Sequence, residues 1–291
     1  MQTLPPYRGR FAPSPTGHLH LGSLMAAVGS WLLARQAGGQ WLIRIEDIDP
    51  PREIEGVAQG HIETLKAFGM ESDETILWQS RRSERYQEIL RRLMECGSAF
   101  ECFCSRKDLA IHNGIHRFCV AHLAETRPAI RLAIPDITIA FEDQFQGNFS
   151  QLLGTEVGDM VIKRADGFWA YQLAVVVDDA DQGITHVVRG QDLLSSTPKQ
   201  IYLQRQLGFP TPRYAHLPLV KDAYGQKLSK SLSAYPIDPN DPIPALRYVW
   251  QLLGQDFTSW PAESRPERAL MQAVTQFEAM KILSRSQMLT A

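Results

Sequence analysis

Two short stretches carry residue types suited to handling phosphate. The first is PSPTGHLHLGS, residues 13–23, a turn rich in proline and glycine between the strand-like RGRFA (8–12) and a helix-like run from Ser23 to Arg35. A helix start presents unpaired backbone N–H groups and the positive end of the helix dipole, so an anion binds there. His18 and His20 alternate on the approach and bring imidazole donors to that anion, while Gly17 and Gly22 let a ligand come close to the backbone. The second stretch is QKLSKS, residues 226–231, after a strand-like HLPLV and a turn at DAYG. Lys227 and Lys230 supply mobile positive charge of the kind that stabilises a leaving pyrophosphate. The Walker A and GxGxxG patterns are absent. A tight turn and a solvated loop use the same residue types, so each stretch alone is ambiguous.

A third constellation is Cys102-Phe-Cys104 with Cys119 a short way downstream. Three thiols in one segment of an intracellular chain favour a metal over disulfides, and structural zinc takes four soft ligands. His116 completes a Cys₃His set, with His112 and His122 as rivals for the fourth place. Such a site would staple its segment. Cys96 reads as helix packing.

Elements must hold these groups in place. Strand, helix and strand succeed one another over the first fifty residues, ending in WLIRIEDID, which implies a parallel βαβ unit. Residues 53–69 and 81–96 carry helical periodicity. The segment 98–156 changes character, with the cysteines followed by the alternating AIRLAI and ITIAFED, and reads as an insertion. The α/β pattern resumes near Met160, where the apolar run AVVV before Asp178 and Asp179 reads as a buried strand and the two acids as capping or orienting groups. Helices dominate from about residue 236. The expected division is 1–97 and 157–222 for the halves of the catalytic domain, 98–156 for the insertion, and 223–291 for the lysine loop with a helical module. The fold class is α/β, a Rossmann-like doubly wound parallel sheet with a cysteine-containing insertion and a small C-terminal helical module.

Composition bounds the rest. Hydrophobic residues make up 44% of the 291 positions, enough for a sizeable core. A net charge of −2 carries no nucleic-acid signature, although a local basic patch suffices for phosphate contacts. The N-terminal MQTLPPYRGR lacks the apolar stretch of a secretory leader, and no run reaches the ~18 apolar residues of a membrane span. These features suit a cytoplasmic protein, and a monomer is the expectation.

Taken together, the two phosphate motifs resemble the class I aminoacyl-tRNA synthetases. His20 to Ser23 (HLGS) matches their HIGH signature and Lys227 to Ser231 (KLSKS) their KMSKS signature. The flanking RFAPSPTGHLHLGSL and RIEDID are similar to the glutamyl branch, and the likeness runs from about Arg10 to Ser231. One departure is Ser23, where HIGH has its second histidine. The resemblance implies ATP held by His18, His20, Gly22, Ser23 and Lys230, with His20, Lys227 and Lys230 as catalytic groups and Mg²⁺ arriving with the nucleotide. It also implies a glutamate pocket of Arg10, Glu46, Tyr171 and Arg189. Arginines suit the two carboxylates of glutamate and an acidic residue its ammonium, though which arginine takes which carboxylate stays open. His186 and Asp192 are weaker candidates for the ATP side.

The 60 residues from 232 to 291 are too few for the anticodon-binding region of a full glutamyl synthetase. The chain is therefore similar to the shorter glutamyl-queuosine paralogues, which implies L-glutamate, ATP and tRNA(Asp) bearing queuosine as partners. That group has a CxC…C zinc site whose fourth ligand is often a tyrosine four residues before the last cysteine. Ile115 stands there and cannot ligate, so a histidine must replace it or the site is degraded.

Overall fold

The computed structural model describes residues 5–121, 127–218 and 237–282. The chain opens with β1 (Arg8–Phe11), α1 (Leu21–Gln36) and β2 (Gln40–Ile45), then α2 (Val57–Ala67), β3 (Leu77–Trp78) and α3 (Ser83–Glu95). Next come β4 (Ala99–Cys102), β5 (Ala129–Leu132), β6 (Thr138–Asp143), β7 (Gly147–Leu152), the one-turn α4 (Leu153–Glu156) and β8 (Met160–Lys163). It continues with α5 (Tyr171–Asp181), β9 (His186–Gly190), α6 (Thr197–Leu207) and β10 (Arg213–Leu217), followed by α7 (Pro242–Leu252) and α8 (Pro266–Gln276).

β1, β2 and β3 form a parallel sheet, as do β9 and β10 with β6, while β7 pairs antiparallel on the outer edge of β6. The two sheets meet where Thr185 N donates to the Arg8 carbonyl (3.0 Å) and Arg8 N to Thr185 Oγ1 (2.8 Å). Across the molecule the strands run β3-β2-β1-β9-β10-β6-β7, with the chain reversal between β1 and β9. In such sheets ligands bind at the carboxyl ends of the strands, at the reversal. A separate antiparallel sheet of β4, β5 and β8 carries Cys102 at the end of β4.

Helices cover both faces. α1 lies between the sheet and the pair α7 and α8, so it is buried nearly all round from Leu21 to Ala34 and shows no polar stripe. Gly29 permits the approach: a Cβ there would sit 2.9 Å from Leu217 Cδ1. Trp250, Trp260 and Phe277 clasp one another beneath α1, with ring centroids 5.7 and 6.0 Å from Trp250. On the opposite face α3, α5 and α6 pack with Leu42, Ile162 and Val187. The run expected as a strand before Asp178 is part of α5, in which every residue from Leu173 to Asp179 is buried. A helix enclosed by α3, α6 and β8 has no wet face to reveal a 3.6-residue period, and its valines mimic a strand. Among the described residues, no helix is long and apolar enough to cross a membrane.

Candidate functional site

A cleft of about 800 Å³ opens at the carboxyl ends of β1, β2, β9 and β10. Arg10 enters it from β1, Glu46 from the residue after β2, Arg189 from β9 and Tyr171 from the first turn of α5. His18, His20, Gly22, Ser23 and Asp192 line the same space. The sequence scattered these residues over more than 180 positions; the parallel topology brings them to one crevice.

Beneath the cleft lies a buried ionic network. Arg10 meets Asp179 through Nε at 3.1 Å and Nη2 at 3.4 Å. Arg44, fully buried, reaches the same carboxylate at 2.8 Å and Glu46 at 3.5 Å, and donates to Gln182 Oε1 at 2.9 Å. Two guanidinium groups thus share Asp179. Burial alone would raise the Asp179 carboxyl, but Arg10 and Arg44 hold it below the usual range. Glu46 fares differently: burial pushes its carboxyl up to about 7, against the opposing pull of Arg44 and Arg10. Arg44 was not anticipated, although a charged residue inside a strand as apolar as WLIRI signals a buried partner. Asp178 serves elsewhere, accepting from Tyr86 OH (2.7 Å), Gln79 (2.8 Å) and Arg82 (3.0 Å). Both acids of the pair therefore orient other groups.

Arg189 lies under Tyr171, donating from Nη1 to the phenol oxygen at 3.2 Å. Its other contacts turn inward to Thr197, Leu193 and His216. The His216 contact left no local mark in the sequence, because it arises from strand register: His216 of β10 stands opposite Arg189 of β9.

On the other side of the cleft, His20 is the N-cap of α1. Its Nδ1 accepts from Ser23 N at 3.3 Å, and Nε2 lies 3.2 Å from Ser23 Oγ. Burial lowers its pKa, against the opposite pull of nearby Asp192, and so favours the neutral ring. With Nδ1 accepting from Ser23 N, its proton sits on Nε2. His61 of α2, unforeseen, anchors the turn through Nε2 to the Gly17 carbonyl at 2.8 Å. His186 is not part of the cleft. It begins β9 at the far end of the strand and stacks on Tyr7 with centroids 3.9 Å apart. Lys227 and Lys230 lie outside the described residues.

Away from the cleft, ligand atoms of Cys102, Cys104, His116 and Cys119 all fall within 4.8 Å of one another and can hold a metal ion. His116 Nε2 is 3.3 Å from Cys102 Sγ and 3.7 Å from Cys119 Sγ, spacings that suit a tetrahedral site with metal–sulfur bonds near ~2.3 Å. The surroundings suit thiolates as well. Arg131 Nε donates to Cys102 Sγ (3.2 Å), and Val120 N to Cys104 Sγ (3.2 Å). The other nitrogen of His116 pairs with Asp159 at 2.8 Å, fixing which nitrogen faces the sulfurs. His112 is turned away against Phe118, and His122 lies outside the described residues.

Comparison with known proteins agrees with this fold. Residues 7–238 match the family described as tRNA synthetases class I (E and Q), catalytic domain. A glutamyl-Q tRNA(Asp) synthetase of Xanthomonas campestris pv. campestris is 56% identical over 278 residues, spanning 95% of this chain and 93% of that one. One from Neisseria meningitidis serogroup C is 49% identical over 288 residues, spanning 95% and 97%. Among solved structures, a glutamate tRNA ligase from Elizabethkingia meningosepticum in complex with its amino acid superposes with a TM-score of 0.78 at 26% identity, over 98% of this chain and 69% of that one. The chain is a ligase and belongs to the class I glutamyl and glutaminyl tRNA synthetase family, within its glutamyl-Q tRNA(Asp) synthetase group.

Proposed function

We propose that the chain joins glutamate to ATP as glutamyl-adenylate and then transfers the glutamyl group to the queuosine base at the wobble position of tRNA(Asp). The observation that carries the first half is that one cleft brings Arg10, Arg189 and Glu46 together beside the His18 and His20 turn. That set complements the two carboxylates and one ammonium of glutamate. The names of the relatives support the acceptor.

Ionised Glu46 takes the ammonium, Arg10 and Arg189 take the carboxylates, and Tyr171 covers Arg189. The α-carboxylate oxygen then attacks the α-phosphorus of ATP as the bond to the β-phosphate breaks and pyrophosphate departs. His18, His20, Gly22 and Ser23 hold the phosphates, and Lys227 and Lys230 neutralise charge growing on the leaving group. No covalent enzyme intermediate is needed, so the acceleration comes from positioning and electrostatics. Asp192, on that side of the cleft, would offer an oxygen to the Mg²⁺ that accompanies ATP, which would supply further charge neutralisation. In the second step a hydroxyl of the queuosine cyclopentene ring attacks the acyl carbon, and AMP leaves. Cys102, Cys104, His116 and Cys119 would hold Zn²⁺ as a structural staple of their segment, apart from the cleft and its chemistry.

The acceptor is tested by incubating the enzyme with ATP, [¹⁴C]glutamate and tRNA(Asp) carrying either queuosine or guanine at the wobble position. Label in the anticodon fragment of the queuosine tRNA alone is the expected result. Label at the 3′ end of unmodified tRNA would instead identify a short glutamyl-tRNA synthetase.

A further inference from the structure

Arg189 has five N–H groups, and the protein engages four of them. Nε donates to His216 Nε2 at 3.0 Å, one Nη1 hydrogen goes to Tyr171 OH at 3.2 Å, and Nη2 serves Thr197 Oγ1 at 2.8 Å and the Leu193 carbonyl at 3.4 Å. Among the described residues that leaves a single Nη1 hydrogen for a ligand.

The Nε contact dictates the state of His216. A guanidinium only donates, so His216 Nε2 must be bare and its proton must sit on Nδ1. Nδ1 in turn lies 2.5 Å from Asp143 Oδ2, where Nδ1–H finds its acceptor. The other tautomer would set two N–H groups against each other at Arg189 and a lone pair against a carboxylate at Asp143. An imidazolium would place a second positive charge beside the guanidinium, with its Nε2–H aimed at the Arg189 donor. Among the described residues only Thr197 Oγ1 lies beside that N–H, at 3.2 Å and already accepting from Arg189 Nη2. In the neutral Nδ1–H form the Thr197 hydroxyl lies within donating distance of the bare Nε2 instead. Asp143 is itself fixed, since its Oδ1 accepts from the backbone N–H groups of Phe145 (3.0 Å), Gln146 (2.9 Å) and His216 (3.0 Å). Both side chains are completely buried.

We propose that His216 is a positioning residue for glutamate selection: fixed as the Nδ1–H tautomer by Asp143, it holds the Arg189 guanidinium so that one Nη1 hydrogen addresses a substrate carboxylate. This rests on the reading of Arg189 as a glutamate-binding residue. Asp143→Asn is the informative substitution. Three backbone donors hold the Oδ1 position, so the amide NH₂ of asparagine must face His216 Nδ1. The imidazole proton then moves to Nε2 and opposes Arg189, as an aspartate-to-asparagine change does to a catalytic histidine tautomer elsewhere.

The test measures KM for glutamate and for ATP in pyrophosphate exchange. His216→Leu and Asp143→Asn should raise KM for glutamate by about ten- to a hundred-fold, the range for a lost hydrogen bond to a charged group, with KM for ATP within about two-fold. His216→Gln, whose side-chain oxygen can take the place of Nε2, should recover most of the loss. Arg189→Lys separates the two claims. Unchanged KM for glutamate there would overturn the reading of Arg189. A raised KM in Arg189→Lys, with no change in His216→Leu or Asp143→Asn, would overturn the positioning role alone. Should His216→Leu fail to fold, ¹⁵N-histidine spectra of the intact wild-type protein decide the matter. The imidazole signal lost in His216→Gln must be a neutral Nδ1–H tautomer; an Nε2–H or imidazolium signal contradicts the proposal.

Discussion

Arg10 and Asp179 meet side by side under the cleft, Nε to Oδ1 at 3.1 Å and Nη2 to Oδ2 at 3.4 Å, both almost out of reach of solvent. The pair ties the first strand of the sheet to α5, 169 residues away, and Arg44 leans on the same carboxylate. One acid therefore sets the position of two cations, one of which lines the cleft.

Removing that acid should be costly. Asp179→Ala leaves two buried guanidinium groups without their shared partner, and a broken buried pair costs about 3–5 kcal/mol. Chemical denaturation should show a loss of that order. A loss under about 1 kcal/mol, the usual worth of a surface pair, would mean that water reaches the site.

Glu46 gives opposite pH trends for stability and for binding. Its carboxyl is pushed up to about 7 in the native state from an ordinary 4.5. Between those values the native state binds the extra proton, so stability is present at low pH and falls as pH rises. Relative to Glu46→Gln, the wild type should lose on the order of 3 kcal/mol from pH 4.5 to above 7. Binding runs the other way, because only ionised Glu46 attracts the ammonium. KM for glutamate should drop as pH passes through about 7 in the wild type and stay flat over that range in Glu46→Gln.

The metal cluster predicts one Zn²⁺ per chain by elemental analysis. Asp159→Asn weakens the partner that aims His116, and such changes lower metal affinity by about 10–100-fold. Competition with a chromophoric chelator measures this directly. Gly158→Ala should act more severely. Its φ is +71°, and a Cβ there would sit 2.3 Å from the His116 carbonyl, so the histidine has to move.

Lys230→Ala should slow pyrophosphate exchange by about 10²-fold, the scale for losing one donor to charge developing in the transition state. Exchange at the wild-type rate would remove Lys230 from the proposed mechanism.

How far the sequence could be read depended on distance along the chain. The β1 turn and α1 were legible because proline, glycine and the paired histidines punctuate a short stretch, and β2 because apolar residues alternate within it. The cysteines stood out because three soft ligands fall in one segment. α5 misled for a physical reason: burial on every side erased its period, and a valine run favours the strand reading. Asp143 and His216 were invisible in their roles. They lie 73 residues apart and meet only because β6 and β10 pair in parallel. His116 and His112 could be separated only by backbone geometry, since the bridge from His116 to Gly158 turns one ring toward the sulfurs.

The central claim is glutamate activation, and its most direct measurement is ATP–pyrophosphate exchange with L-glutamate in the absence of tRNA. The account predicts robust exchange that needs glutamate, is not supported by glutamine, and collapses in Arg189→Lys and Glu46→Gln. No exchange above background, with tRNA absent or present, would contradict it and leave a cleft that binds without catalysing.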